Sequence, residues 1–266
     1  MIIRLIFLVF SLVVTSFGQN LDQLSIVVVY LHRTEQQPII RDGQRATLLQ
    51  TNYGTGFLVS PDGNSMFLVT AAHVAAAMQS TFRATIRGDN DTPIDLSSGE
   101  LVGSLAVTWV LHDTEDIAVT ALHPSDRVMP KMKERFLARK AIAADQNAPS
   151  RERSLTALGF PFEMGAEGHF SLISRESKPA SGLVTLRRPD THTPAVFFLL
   201  DSPSIEGFSG APLFQLPAPY SSSTGKMIFF DPGTPVLCVG VIHGTLSDST
   251  GGKMAAVIPS VSLLSG

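Results

Sequence analysis

From about residue 25 onward this chain is written as short β-branched or aromatic runs cut by glycine, proline, aspartate and asparagine, a pattern that confines it to β-structure. The runs are Ser25 to Leu31, Gly56 to Ser60, Met66 to Thr70, Leu101 to Leu111, Ile117 to Leu122, Leu155 to Phe160, Ala195 to Leu200, Met227 to Phe230 and Val236 to Ile242. No internal repeat joins them. Turn chemistry separates several of them. Pro61-Asp62-Gly63-Asn64 and Arg41-Asp42-Gly43-Gln44 each read as a hairpin connection.

The pattern changes once, between Pro130 and Asn147, where Lys-Met-Lys-Glu-Arg-Phe-Leu-Ala-Arg-Lys places Met132 and Phe136 four apart and Pro130 can open a helix. This basic stretch reads as a solvated connector. The expected organisation is therefore a unit over 19–129, a connector over 130–147 and a second unit over 148–266.

Hydrophobic residues make up 44% of the 266 positions against 16% charged, which is enough apolar material for a sizeable packed core. The net charge of −3 is too mild to point to nucleic acid or a polyanionic partner. Cys238 is the only cysteine, so no intrachain disulfide can form, and within Val-Leu-Cys-Val it reads as a small buried hydrophobe.

Residues 1–18 have the layout of a signal peptide: Arg4, an apolar stretch from Leu5 to Val14, then Ser16-Phe17-Gly18 as a small-x-small cleavage pattern. The expectation is export to the periplasm or the extracellular space, with no stable membrane insertion afterwards. A retained anchor is disfavoured because Ser11, Thr15 and Ser16 interrupt a run that would need roughly 20 apolar residues.

Three local motifs carry chemistry. Thr70-Ala-Ala-His73 closes a hairpin opened by Gly54-Thr-Gly-Phe-Leu-Val59, and the small neighbours leave the imidazole accessible. Asp116 stands directly before the apolar run Ile117-Ala-Val119, whereas Asp113 and Glu115 do not. Glu206-Gly-Phe-Ser209-Gly-Ala-Pro212 surrounds a serine with glycine, which lets the loop turn tightly and aim backbone N–H groups at one point.

In this order the motifs resemble those of chymotrypsin-like (trypsin-like) serine proteases, and the Gly-Thr-Gly-Phe-Leu-Val hairpin resembles the bacterial HtrA-type branch. Leu155 to Phe162 and Met254 to Pro259 are similar to family strands that enter and close the second barrel. The resemblance implies an all-β fold of two packed six-stranded antiparallel barrels with the active site in the cleft between them. It implies a triad of His73, Asp116 and Ser209, an oxyanion hole from the N–H groups of Gly207 and Ser209, polypeptide substrates, and no metal or cofactor.

Two positions depart from the family pattern. Phe208 stands where Asp or Asn is usual, which implies that activity does not depend on a new N-terminus pairing with that Asp. Ala211 replaces a second glycine. HtrA-type enzymes usually carry a PDZ domain after the protease, and the expectation here is a single protease unit without one. The resemblance places Gly240 to Gly244 along the substrate pocket, with His243 and Gly244 as candidate substrate-binding residues; His243 either recognises a Glu or Gln side chain, as in glutamyl endopeptidases, or points to solvent.

Two rival readings come from other classes. Gly207-Phe-Ser-Gly-Ala211 loosely fits an α/β-hydrolase elbow with Asp231 and His243 behind it, but Pro212, Pro217 and Pro219 would break the helix that must follow. A catalytically silent, protease-like binding module is the second, and it turns on whether the triad aligns.

Overall fold

The computed structural model describes residues 21–41, 44–103, 105–217, 219–221, 228–230 and 235–264. The expected signal peptide at 1–18 and Asp231 lie outside the described residues. Two large antiparallel sheets carry the fold. The first contains β1 (Val28–Arg41), β2 (Gln44–Ser60), β3 (Phe67–Thr70), β4 (Arg83–Arg87), β5 (Pro93–Ser97), β6 (Val110–Leu111), β7 (Ala118–Ala121) and β8 (Leu137–Ala138). Its order is β5-β4-β1-β2-β3-β7-β6, with β8 added parallel to β2.

The second sheet contains β9 (Leu155–Gly159), β10 (Ile173–Ser177), β11 (Val184–Arg187), β12 (Pro194–Leu199) and β13 (Pro212–Gln215), followed further along the chain by β16 (Leu237–Ser247) and β17 (Lys253–Pro259). Its order is β10-β9-β13-β16-β17-β12-β11. Among the described residues, the short strands β14 (Pro219–Ser221) and β15 (Ile228–Phe230) pair only with each other. The all-β expectation holds. Among the described residues the sheets have eight and seven strands in place of six each, because short edge strands such as β6 and β8 join the first and β11 extends the second.

Alternation in the sequence decides which faces meet. Leu58 and Leu68 point into a core filled by Met78, Phe82, Ile86 and Leu101 on one side of the first sheet. Their neighbours Phe57, Val59 and Val69 point the other way and pack with Leu158, Phe160, Phe197, Phe214, Cys238 and Val241 of the second sheet. One apolar cluster thus joins the two sheets, which is what the period of two in a strand requires of a sheet buried on both faces. Cys238 is a fully buried member of it, and burial pushes its thiol up to about 12.

Local chemistry explains the other departures from the expected strands. Leu101 to Leu111 was expected as one strand, yet Ser98–Val102 is helical. Ser97 and Glu100 form a capping box there, each side chain meeting the other's backbone N–H, and this outweighs the apolar pattern. Only Val110 and Leu111 remain as strand. Near Pro130 the helix is a single turn, Met129–Met132. The expected turn at 61–64 is present: Asp62 accepts the N–H groups of Asn64 and Ser65, at 2.9 and 2.6 Å. The strands flanking residues 42–43 pair out to Arg41 opposite Gln44.

Candidate active site

His73 lies in the first turn of the helix Ala72–Met78, which starts as soon as β3 ends at Thr70. Asp116 ends the loop before β7 and is fully buried. Because β3 and β7 are paired with Thr70 opposite Ala118, the two residues are brought together by register. The Asp116 carbonyl accepts the Ala72 N–H at 3.1 Å, its Oδ1 accepts the His73 N–H at 3.0 Å, and its Oδ2 lies 2.7 Å from His73 Nδ1. The neighbouring carboxylates are excluded by placement. Asp113 is exposed, and Glu115 is turned away to accept the N–H of Val196.

Ser209 arrives from the second sheet, in the loop before β13. Its carbonyl accepts the N–H of Thr55, and the N–H of Gly210 donates to Ile242 at 2.8 Å. Gly210 has φ +83°, and a Cβ there would lie 2.1 Å from the Thr55 carbonyl oxygen and 2.2 Å from Thr70 Oγ1. Only glycine lets the Ser209 loop lie this close to the strands that carry His73. Gly207 has φ +97° under the Phe160 carbonyl, 2.3 Å from where a Cβ would stand. Among the described residues, neither the Gly207 nor the Ser209 N–H donates a hydrogen bond. Phe208 is buried in the second sheet's core, so the departure at this position supplies packing where an acid would supply charge.

The Ser209 hydroxyl donates to the His243 carbonyl oxygen at 3.0 Å and makes no hydrogen bond to His73. His243 closes the triangle. Its imidazole is 6% exposed, its Nδ1 lies 2.5 Å from Asp116 Oδ2, and its ring meets that of His73 edge-on at 5.5 Å between centroids. The reading of His243 as a solvent-facing loop residue is corrected. The imidazole expected to read a substrate side chain is committed through Nδ1 to Asp116, because β16 carries it inward beside Phe197. Gly244 lies beside Ser209, with its Cβ direction 3.8 Å from Ser209 Oγ.

Burial alone would raise the Asp116 carboxyl, but hydrogen bonds from His243 and His73 outweigh it and hold the group well below the usual carboxylate range. His73, Asp116 and His243 offer ligand atoms within 4.8 Å of one another, a spacing that could hold a metal ion. In this structure those atoms are hydrogen-bonded to each other, and the Arg188 guanidinium faces the same carboxylate at 3.0 Å, a charge that opposes a cation.

Sequence reasoning missed Arg188 and two threonines. Thr55 Oγ1 donates to the Gly207 carbonyl and accepts the Phe160 N–H, while Thr70 Oγ1 donates to the Thr55 carbonyl. The signal for Thr55 was available, since a threonine between two glycines in a buried hairpin must find partners for its hydroxyl. Arg188 sits in an ordinary Arg-Pro-Asp turn, and nothing local marks its partner 72 residues away.

A family model for a trypsin-like peptidase domain matches residues 54–217, which contain His73, Asp116 and Ser209. The chain belongs to the trypsin-like peptidase family. The solved structure described as "Crystal structure of Deg5" is similar over 93% of this chain and 91% of its own, with a TM-score of 0.52 and 15% identity, a likeness of fold. No curated protein matches the chain. Membership makes this protein a protease-type hydrolase by family.

Proposed function

We propose that this protein is a serine endopeptidase in which His73, Asp116 and Ser209 form the catalytic triad. The observation that carries the reading is the buried His73–Asp116 pair, joined at 2.7 Å, on the flank of a glycine-shaped serine loop whose Gly207 and Ser209 N–H groups are unpaired among the described residues. Ser209 Oγ, turned from the His243 carbonyl toward His73, attacks a peptide carbonyl carbon while its proton passes to His73 Nε2. Asp116 accepts from Nδ1 and stabilises the imidazolium. The oxyanion is received by the N–H groups of Gly207 and Ser209, and loss of one such donor costs about 10² to 10³ in turnover. Collapse of the intermediate moves the proton from His73 to the leaving amine and leaves an acyl group on Ser209. Water then releases it by the same steps in reverse roles.

Residues 19–129 and 148–266 are read as the two catalytic units, joined by 130–147. Gly244 and the β16 backbone are read as pairing with the substrate chain. The apolar start of the sequence supports export as an HtrA-type protease acting on polypeptides. A second reading is favoured by one observation: the Ser209 hydroxyl bonds to His243 and not to His73, as in a silent binding module. Labelling with a fluorophosphonate probe separates the two. The protease labels and Ser209→Ala does not; a folded wild-type protein that fails to label is the binding module.

A further inference from the structure

Arg188 is the charged group that the triad leaves unused. It opens the turn between β11 and β12 of the second sheet and is 6% exposed, yet its guanidinium ends on the first sheet's site loop. Nη2 donates to Asp116 Oδ1 at 3.0 Å and Nη1 to the Thr114 carbonyl at 3.4 Å. From the other side Asp190 holds the fork, taking Nε on Oδ1 at 3.0 Å and Nη2 on Oδ2 at 2.6 Å. Backbone bonds from Arg188 to Thr193 and from His192 to Arg188 close the turn. Glu115 accepts the Val196 N–H from β12. Three successive residues, 114 to 116, are thus gripped by one hairpin of the opposite sheet.

Stiffening the turn would need only the pair with Asp190. The bond to Asp116 reaches across the sheets and takes a buried cation to a buried carboxylate, a pairing tolerated only where the geometry is well matched. Asp116 has four donors: His73 Nδ1 and His243 Nδ1 on Oδ2, and the His73 N–H and Arg188 on Oδ1. Two donors on each oxygen fix the plane of the carboxylate. That plane sets the direction of the bond to His73 Nδ1.

We propose that Arg188 is a positioning residue for catalysis, fixing the Asp116 carboxylate from the second sheet and so holding His73 aimed at Ser209. This inference rests on the triad reading above. It also predicts a charge effect. The ionisable groups around Asp116 are His73, His243 and Arg188, with Asp190 and Glu115 behind them. Removing the guanidinium lets the His73–Asp116 pair bind a proton more readily, so the acid limb of reactivity moves to higher pH.

The test is the second-order rate of fluorophosphonate labelling of the full chain from about pH 5 to 9, the range in which a histidine base titrates. Wild type, Arg188→Gln and Arg188→Lys are compared, with circular dichroism to establish folding. Arg188→Gln is expected to label about 10- to 100-fold more slowly, the scale seen when groups behind a ligand are replaced. Its acid limb is expected about one pH unit higher. Arg188→Lys keeps the wild-type acid limb but labels several-fold more slowly, because one ammonium cannot reproduce the planar fork.

A folded Arg188→Gln that labels at the wild-type rate, or slowly with an unmoved acid limb, overturns the proposal. Should Arg188→Gln fail to fold, Arg188→Lys decides: slower labelling with an unmoved acid limb supports it and the wild-type rate overturns it. A wild-type protein that does not label removes the triad reading and this inference with it. A labelled wild type with indifferent variants removes this inference alone.

Discussion

Thr55 Oγ1 donates to the carbonyl oxygen of Gly207 at 2.7 Å, a buried bond that fastens the Ser209 loop of one sheet to the hairpin of the other. The same oxygen accepts the Phe160 N–H at 3.1 Å, so one buried hydroxyl satisfies two backbone groups. Thr55→Val keeps the shape and removes both bonds. With a carbonyl and an N–H left buried and unpaired, the variant is expected to lose about 2–5 kcal/mol of stability. Urea unfolding with an unchanged slope measures it, and a loss within error of zero would mean that water replaces the hydroxyl.

Gly210 tests the backbone in the same place. At φ +83° an alanine is strained, and its Cβ would meet the Thr55 carbonyl oxygen and Thr70 Oγ1 at 2.1 and 2.2 Å. Neither neighbour can withdraw, since Thr70 Oγ1 is itself bonded to that carbonyl. Gly210→Ala is expected to cost at least about 2 kcal/mol and to abolish fluorophosphonate labelling, because the loop must back away from His73. Gly63→Ala supplies the comparison: its φ is +79°, but no atom lies within 4 Å of the new Cβ. It should lose stability through strain alone and keep its labelling.

Acid stability follows from Asp116. Its carboxyl is depressed in the folded state because the bonds from His243 and His73 outweigh burial. A depressed acid stabilises the fold fully above its unfolded value, near pH 4, and loses that contribution as pH falls toward the folded one. Wild type is therefore expected to exceed Asp116→Asn in urea midpoint at neutral pH, with the gap narrowing below about pH 4. A gap that stays constant down to strongly acid pH would show that the carboxylate's charge contributes nothing.

How much of this was legible beforehand depends on the range of the interaction. The strand content and the turn at Asp62 followed from local pattern, because each is decided within a few residues. The helix at Ser98–Val102 is also decided locally, by the Ser97–Glu100 capping box, but the apolar run that follows masks it in the sequence. Arg188 could not be found this way: its partners Asp190 and Asp116 lie 2 and 72 residues away, and only the nearer leaves a trace in the sequence. His243 shows the intermediate case. Its place in the segment Gly240 to Gly244 along the substrate pocket was implied by the resemblance, whereas the direction of its ring depends on how β16 enters the core, which no local pattern encodes.

That direction yields the last prediction. A histidine at the pocket wall would choose substrates, while a histidine bonded to Asp116 Oδ2 at 2.5 Å and wedged against Phe197 affects the triad for every substrate alike. His243→Leu fills the same buried space but removes a donor from the carboxylate. The expected result is a turnover lower by about tenfold, the effect of roughly one hydrogen bond to a charged group, with the residue preference before the scissile bond unchanged in a peptide library. If the preference shifts instead, and most of all if a liking for Glu or Gln disappears, the ring reaches the pocket when substrate is bound and its bond to Asp116 belongs to the empty site alone. Either outcome leaves the His243 backbone carbonyl in place beside Ser209, so the comparison isolates the imidazole.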